Sequence, residues 1–235
     1  MEELQEKVAL VTGASGGIGA AVARQLHDAG ASVALLSRHG ADLGLERALG
    51  VTCDVRDRGA VETATAAVVE RFGRLDIVVA NAGVGAYGPF LELDPEQVES
   101  IIDINLKGTI YTAAATLPHL LESGAGDFVT LASVAGVRAF PGETVYNASK
   151  FGQVGFTRSL DHELREHGVR ATCICPGGVH TEFAIGSGRS HDDPEVRQMM
   201  SADDVAEVVL FAVTRPRNLR LLTTTFRPMG EPSWG

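Results

Sequence analysis

Six short apolar runs, most of them rich in β-branched residues, alternate with helix-length segments along the chain, and this alternation limits the possible folds more than any other feature. The runs are Val8–Thr12, Ser32–Leu36, Val78–Ala80, Phe128–Leu131, Ala171–Cys175 and Leu219–Phe226. Each is too short for a helix and is bounded by glycine or polar residues, which predicts strands; a further strand is expected to end at Cys53. The segments Gly17–Ala29, Arg58–Phe72, Pro95–Leu117, Asn147–His167 and Ala202–Thr214 are predicted helices. Asp94 followed by Pro95 reads as an N-cap with an N1 proline, and Gly168 closes a helix ending in Arg165 and His167. Strands that are apolar on both faces and separated by helices imply a mostly parallel sheet covered on both sides, because parallel neighbours need a long crossover. The expected architecture is a doubly wound α/β fold. No repeat, low-complexity tract or linker divides it, so one domain is expected over residues 1–235. In such a fold ligands bind where loops leave the carboxyl ends of the strands.

Thirty Asp and Glu against twenty Lys and Arg leave a formal charge of −10, which argues against a nucleic-acid binder relying on phosphate neutralisation. The opening MEELQEK is acidic where a secretory segment would be basic, and apolar runs such as Val208–Val213 are too short for a bilayer. A soluble, cytoplasmic protein without membrane partners is expected. Cys53, Cys173 and Cys175 offer no paired framework or CxxC spacing and read as reduced core thiols. The seven histidines show no ligand spacing, so no metal is assigned.

Directly after the first predicted strand comes Thr12-Gly13-Ala14-Ser15-Gly16-Gly17-Ile18-Gly19, then a helical run. Glycines there let the backbone turn tightly and approach a diphosphate, whose charge meets free N–H groups and the positive end of the helix dipole. The spacing TGxxxGxG resembles that of the short-chain dehydrogenase/reductase family and implies a Rossmann-type nicotinamide nucleotide site at Gly13, Ser15, Gly17, Ile18 and Gly19. The second strand runs into Ser37-Arg38, where such folds usually carry an acid for the adenosine ribose. A hydroxyl and a guanidinium there suit a 2′-phosphate, so NADP(H) is expected in preference to NAD(H). The resemblance assigns the adenine ring to Asp54 and Val55, with helix capping as the alternative for the aspartate. It also sets Asn81, Ala82 and Gly83 against the cofactor ribose, in a segment similar to the family's NNAG.

Tyr146 and Lys150 stand four apart, on one face of a helix expected to begin near Val145, and Ser133 ends a strand upstream. Hydride addition to a carbonyl builds negative charge on oxygen, which needs a placed donor and then a proton. Tyr146 is the expected proton donor and Ser133 the group that holds the substrate oxygen. The Lys150 ammonium is expected to lower the phenol pKa. The resemblance adds three assignments: Lys150 bonds the nicotinamide ribose, Asn105 holds a water that relays protons from Lys150, and Pro176, Gly177, Val179 and Thr181 fix the nicotinamide carboxamide.

The polar stretch at about 182–201 is expected to form a mobile substrate lid. Tyr87, Arg138, His180, Phe183 and Arg189 are candidates to border the pocket, an arginine among them being able to hold an acidic group. The chain between Arg38 and Val51 leaves little room for the usual helix, and a loop or one irregular turn is expected. Gly152 and Gly155 permit close packing of the Tyr146 helix, and the resemblance implies a homodimer or homotetramer. The expected activity is reversible reduction of a small or medium ketone, aldehyde or keto acid. Reduction of acyl-carrier-bound 3-oxoacyl chains and nucleotide sensing without turnover are the alternatives, both disfavoured: the first by the acidic balance and the Leu221–Gly230 ending, the second by Asn105, Ser133, Tyr146 and Lys150.

Overall fold

The computed structural model describes residues 4–190, 192 and 196–231. Its strands are β1 (Val8–Thr12), β2 (Ser32–Ser37), β3 (Ala48–Thr52), β4 (Ile77–Ala80), β5 (Asp127–Leu131), β6 (Arg170–Pro176) and β7 (Thr223–Phe226). The helices are α1 (Gly17–Asp28), α2 (Arg58–Phe72), α3 (Pro95–Ile101), α4 (Gly108–Ser123), α5 (Thr144–Leu164) and α6 (Ala202–Val213). All seven strands pair in parallel in the order β3-β2-β1-β4-β5-β6-β7. Val11 faces Leu35 on one side and Val79 on the other, so β1, β2 and β4 end at one level. The winding reverses at β1, and the crevice beyond β1 and β4 is where the fold leaves room for a ligand.

Alternation along the strands divides the core in two. Ala9, Val11, Val33, Leu35 and Val79 pack under α1 and α6 against Val22, Leu26, Val205 and Val209. Val8, Leu10, Ala34, Leu36 and Val78 face the other way, against Val61, Val68, Leu120 and Leu160 of α2, α4 and α5. The three cysteines are buried free thiols, as their spacing suggested. Asp94 caps α3 by accepting from the Glu96 amide at 2.8 Å, while Gln97 accepts from the Asp94 amide. Among the described residues, no helix is long and apolar enough to cross a membrane.

The segment between Arg38 and β3 is a loop, as its length required. Two expectations fail. The predicted helix Pro95–Leu117 is interrupted by a π-helical stretch, Ile102–Lys107, and then runs past Pro118 to Ser123. The interruption carries a long-range contact: the Asn105 side chain bonds both backbone groups of Val84. The last strand begins at Thr223 rather than Leu219. Arg170, buried and paired with Asp127 at 2.7 Å, donates to the carbonyls of Val213, Arg215, Pro216 and Leu219 and gathers that chain into a loop.

Candidate active site

The crevice continues as a cleft of about 930 Å³ along the carboxyl ends of the strands, a volume in the range of cofactor and substrate sites. All the expected cofactor residues except Gly19 border it, as do Ser133, Tyr146 and Lys150. Asn105 does not.

At one end, the turn after β1 requires glycine. Gly13 and Gly17 have φ of +67° and +52°, and a Cβ on Gly19 would lie 2.3 Å from the Gly13 carbonyl oxygen and 2.5 Å from Asn81 Nδ2. Asn81 is placed to stitch β1 to β4: its Nδ2 donates to the Thr12 carbonyl at 2.8 Å, and the Thr12 hydroxyl accepts from the amides of Asn81 and Ala82. Helix α1 has no side-chain cap and no acid in its first turn, so its positive end opens onto the cleft. Ser37 Oγ is buried at the wall with no hydrogen-bond partner among the described residues, and the exposed Arg38 stands next to it. An orphaned hydroxyl beside a cation fits a phosphate-bearing nucleotide. Asp54 does not cap α2; Asp57 does, accepting from the Ala60 amide. The Asp54 carboxylate is clasped by Arg56 at 2.5–3.0 Å, and this contact, with Arg38 nearby, holds its carboxyl below the usual range.

Ser133 leaves β5 in extended conformation and its hydroxyl accepts from the Ala135 amide at 3.1 Å. Tyr146 and Lys150 project from the first turns of α5, the Lys150 Nζ lying 5.6 Å from the Tyr146 ring centre and donating to the Leu131 carbonyl at 2.9 Å. Both are buried. Burial pushes the Tyr146 phenol well above its ordinary value, with hydrogen bonding to Ser133 and the charge of Arg189 pulling the other way. Burial also lowers the Lys150 ammonium to about 8. Desolvation is the largest influence on both groups, and the ammonium's direct hydrogen bond goes to a strand carbonyl.

Asn105 lies behind the cleft wall rather than on it. Its Nδ2 donates to the Val84 carbonyl and to Ser149 Oγ, its Oδ1 accepts from the Val84 amide, and its own carbonyl accepts from Gln153 and Thr109. Its side-chain amide and its carbonyl thus all have protein partners, and the residue ties the Gly83–Val84 segment beyond β4 to α5 from behind the wall.

Sequence reasoning missed Asn147. Its Nδ2 donates to the carbonyls of Ala135 and Arg138, and its Oδ1 accepts from the Phe140 amide. This holds the turn after Ser133 onto the start of α5, where a Cβ on Gly136 would lie 2.6 Å from the Lys150 carbonyl. The only sequence signal was a polar, poorly helix-forming residue beside Tyr146. Of the pocket candidates, Tyr87, Phe183 and Arg189 border the cleft, whereas Arg138 and His180 do not. Beyond β6, the Gly178 amide donates to Glu231, itself paired with Arg227, so the C-terminal segment props the Pro176–Thr181 turn. Gly152 faces Leu106 within the chain and Gly155 faces open space, so only the latter is available to a neighbour.

The arrangement offers a nucleotide cradle leading to a hydroxyl, a phenol and an ammonium. Comparison with known proteins agrees with it. The family described as short chain dehydrogenase matches residues 7–191. An uncharacterized oxidoreductase of Staphylococcus epidermidis is 36% identical, covering 97% of this chain and 100% of its own. Among solved structures, an alcohol dehydrogenase from Thermococcus sibiricus complexed with 5-hydroxy-NADP superposes with a TM-score of 0.85 at 30% identity, covering 97% and 99% of the two chains. A 3-ketoacyl-(acyl-carrier-protein) reductase from Brucella melitensis complexed with NADH gives 0.84 at 26% identity, covering 94% and 96%.

Proposed function

The chain belongs to the short-chain dehydrogenase family, and from that premise we propose that it is an NADP(H)-dependent oxidoreductase acting on a small or medium ketone, aldehyde, or keto or hydroxy acid. The observation that carries this reading is the presence of Ser133, Tyr146 and Lys150 on the wall of the same cleft that begins at the glycine turn. When bound, the nicotinamide supplies or accepts the hydride. The chain's own residues do the rest. Tyr146, kept protonated by burial, gives its phenolic proton to the substrate oxygen during reduction, which is the state a donor needs. Ser133 donates a hydrogen bond to that oxygen and stabilises the charge it acquires. Lys150 supplies a cation beneath the phenol and a donor for the nicotinamide ribose. Asn105 and Asn147 act as positioning residues, fixing the strand end and the Ser133 turn against α5.

Gly13, Ser15, Gly17, Ile18 and Gly19 would cradle the diphosphate, with Asn81, Ala82 and Gly83 against the ribose and Val55 with Asp54 at the adenine. Pro176, Gly177, Val179 and Thr181 would orient the nicotinamide. Ser37 and Arg38 would bind the 2′-phosphate, giving the preference for NADP(H). As a homodimer or homotetramer, the protein would use the outward face of α5 around Gly155.

The test is loss of reduced-nicotinamide absorbance with ketones, keto acids and 3-oxoacyl thioesters. Turnover of the first two supports the reading. Turnover of thioesters alone favours acyl-chain reduction, and binding without oxidation across the panel favours a sensor. For the cofactor, Arg38→Ala is expected to lower the NADPH-to-NADH ratio of kcat/KM by about tenfold or more, the worth of one charge-assisted phosphate contact. An unchanged ratio contradicts the assignment.

A further inference from the structure

At the end of the cleft away from the glycine turn, two rings enclose the catalytic phenol. Tyr87 meets the Tyr146 ring edge-on at 5.7 Å and Phe183 meets it tilted at 5.8 Å. Arg189 lies over both: its guanidinium carbon is 5.1 Å from the centre of Tyr87 and 5.9 Å from that of Phe183. The guanidinium is therefore one aromatic layer from Tyr146, and its charge is felt by that phenol.

Its placement is built rather than incidental. The Arg189 amide donates to the Ala184 carbonyl at 3.2 Å, and its carbonyl accepts from Gly186 at 3.0 Å. Ser187, two residues away, accepts from the Tyr87 amide at 3.0 Å, and Gly188 lies so close that a Cβ there would be 2.6 Å from Tyr87 Cβ. Yet among the described residues the half-buried guanidinium makes no hydrogen bond and no ion pair. Stacking satisfies a guanidinium's faces and leaves its in-plane N–H groups unspent, and those groups match a carboxylate in fork geometry. Glu143 borders the same cleft and feels the charge of Arg189, which opposes the upward push of burial on its carboxyl, but it makes no hydrogen bond or ion pair with the guanidinium.

We propose that Arg189 is the substrate's anion site, so that the carbonyl compound handled here carries a carboxylate: a small oxo acid in one direction, the corresponding hydroxy acid in the other. With its oxygen at Ser133 and Tyr146, such a substrate would extend past Tyr87 and Phe183 to the guanidinium. One cation faced by Glu143 suits a monoanion better than a phosphate dianion. This inference rests on the oxidoreductase reading for its substrate pose, but its test separates the two.

The probes are 3-hydroxybutanoate and its methyl ester, which differ in charge but keep the same alcohol. Each is measured with NADP+-loaded wild type, Arg189→Met, which keeps the stem over the rings, and Arg189→Lys. Calorimetric affinity and steady-state oxidation are the two readouts. The acid-to-ester ratio of affinities is expected to fall by about tenfold or more in Arg189→Met, with partial recovery in Arg189→Lys, and the loss should appear in KM more than in kcat. An unchanged ratio, or absent binding of the acid to wild type, overturns the anion site. Arg189-dependent binding of the acid without oxidation of either probe keeps the anion site and counts against the oxidoreductase reading. Oxidation of both probes with no dependence on Arg189 does the reverse.

Discussion

Tyr146→Phe is expected to lower kcat for carbonyl reduction by about 10³-fold while the protein still folds and binds NADPH. The substitution keeps the ring that packs against Tyr87 and Phe183 and deletes only the hydroxyl. The loss is large because no other group can take over. Ser133 can donate a hydrogen bond, but an alcohol of ordinary acidity is a poorer proton donor than a phenol. The Lys150 ammonium is held to the Leu131 carbonyl. A variant with near-normal kcat would show that the proton comes from elsewhere. The measurement is stopped-flow or steady-state loss of reduced nicotinamide at saturating substrate, with cofactor affinity followed separately by fluorescence titration.

Gly19→Ala is expected to weaken NADPH binding by about 10–100-fold and to destabilise the fold by about 1–3 kcal/mol. The position has helical backbone and would tolerate alanine on propensity alone. Space forbids it: the new Cβ would lie 2.3 Å from the Gly13 carbonyl oxygen and 2.5 Å from Asn81 Nδ2. The first neighbour is backbone and cannot swing aside, so the glycine turn must move off α1. That movement takes at least one amide out of reach of the diphosphate, a charge-assisted contact. Calorimetry with NADPH and thermal unfolding without it read the two effects independently. Wild-type affinity in the alanine variant would mean that the turn is not the diphosphate cradle.

What was legible in the sequence is local. Alternation of strand and helix, the glycine turn, Asp94 with Pro95 at a helix start, and the Tyr146–Lys150 spacing each depend on residues a few positions apart, and period and capping rules apply to them directly. What was hidden depends on partners far along the chain. The π-helical stretch carries Asn105, whose partner Val84 lies about twenty residues away, and the chain before β7 is tied to Arg170, which gathers carbonyls from Val213 to Leu219. Asn147 could be seen as an oddity in a helix, but not as the clamp on a turn ending at Phe140. The electrostatics were hidden for a similar reason. Spacing shows that an ammonium lies near a phenol, whereas the depth of burial makes desolvation the largest influence on each.

The most direct test of the central claim is isotopic. NADPH carrying deuterium at nicotinamide C4 on the transferred side is incubated with the protein and a keto acid or ketone, and the product alcohol is examined by NMR. Deuterium at the carbinol carbon, lost together with turnover in Tyr146→Phe, is the predicted result. Cofactor that binds firmly while no label reaches any alcohol across the carbonyl panel would contradict the account.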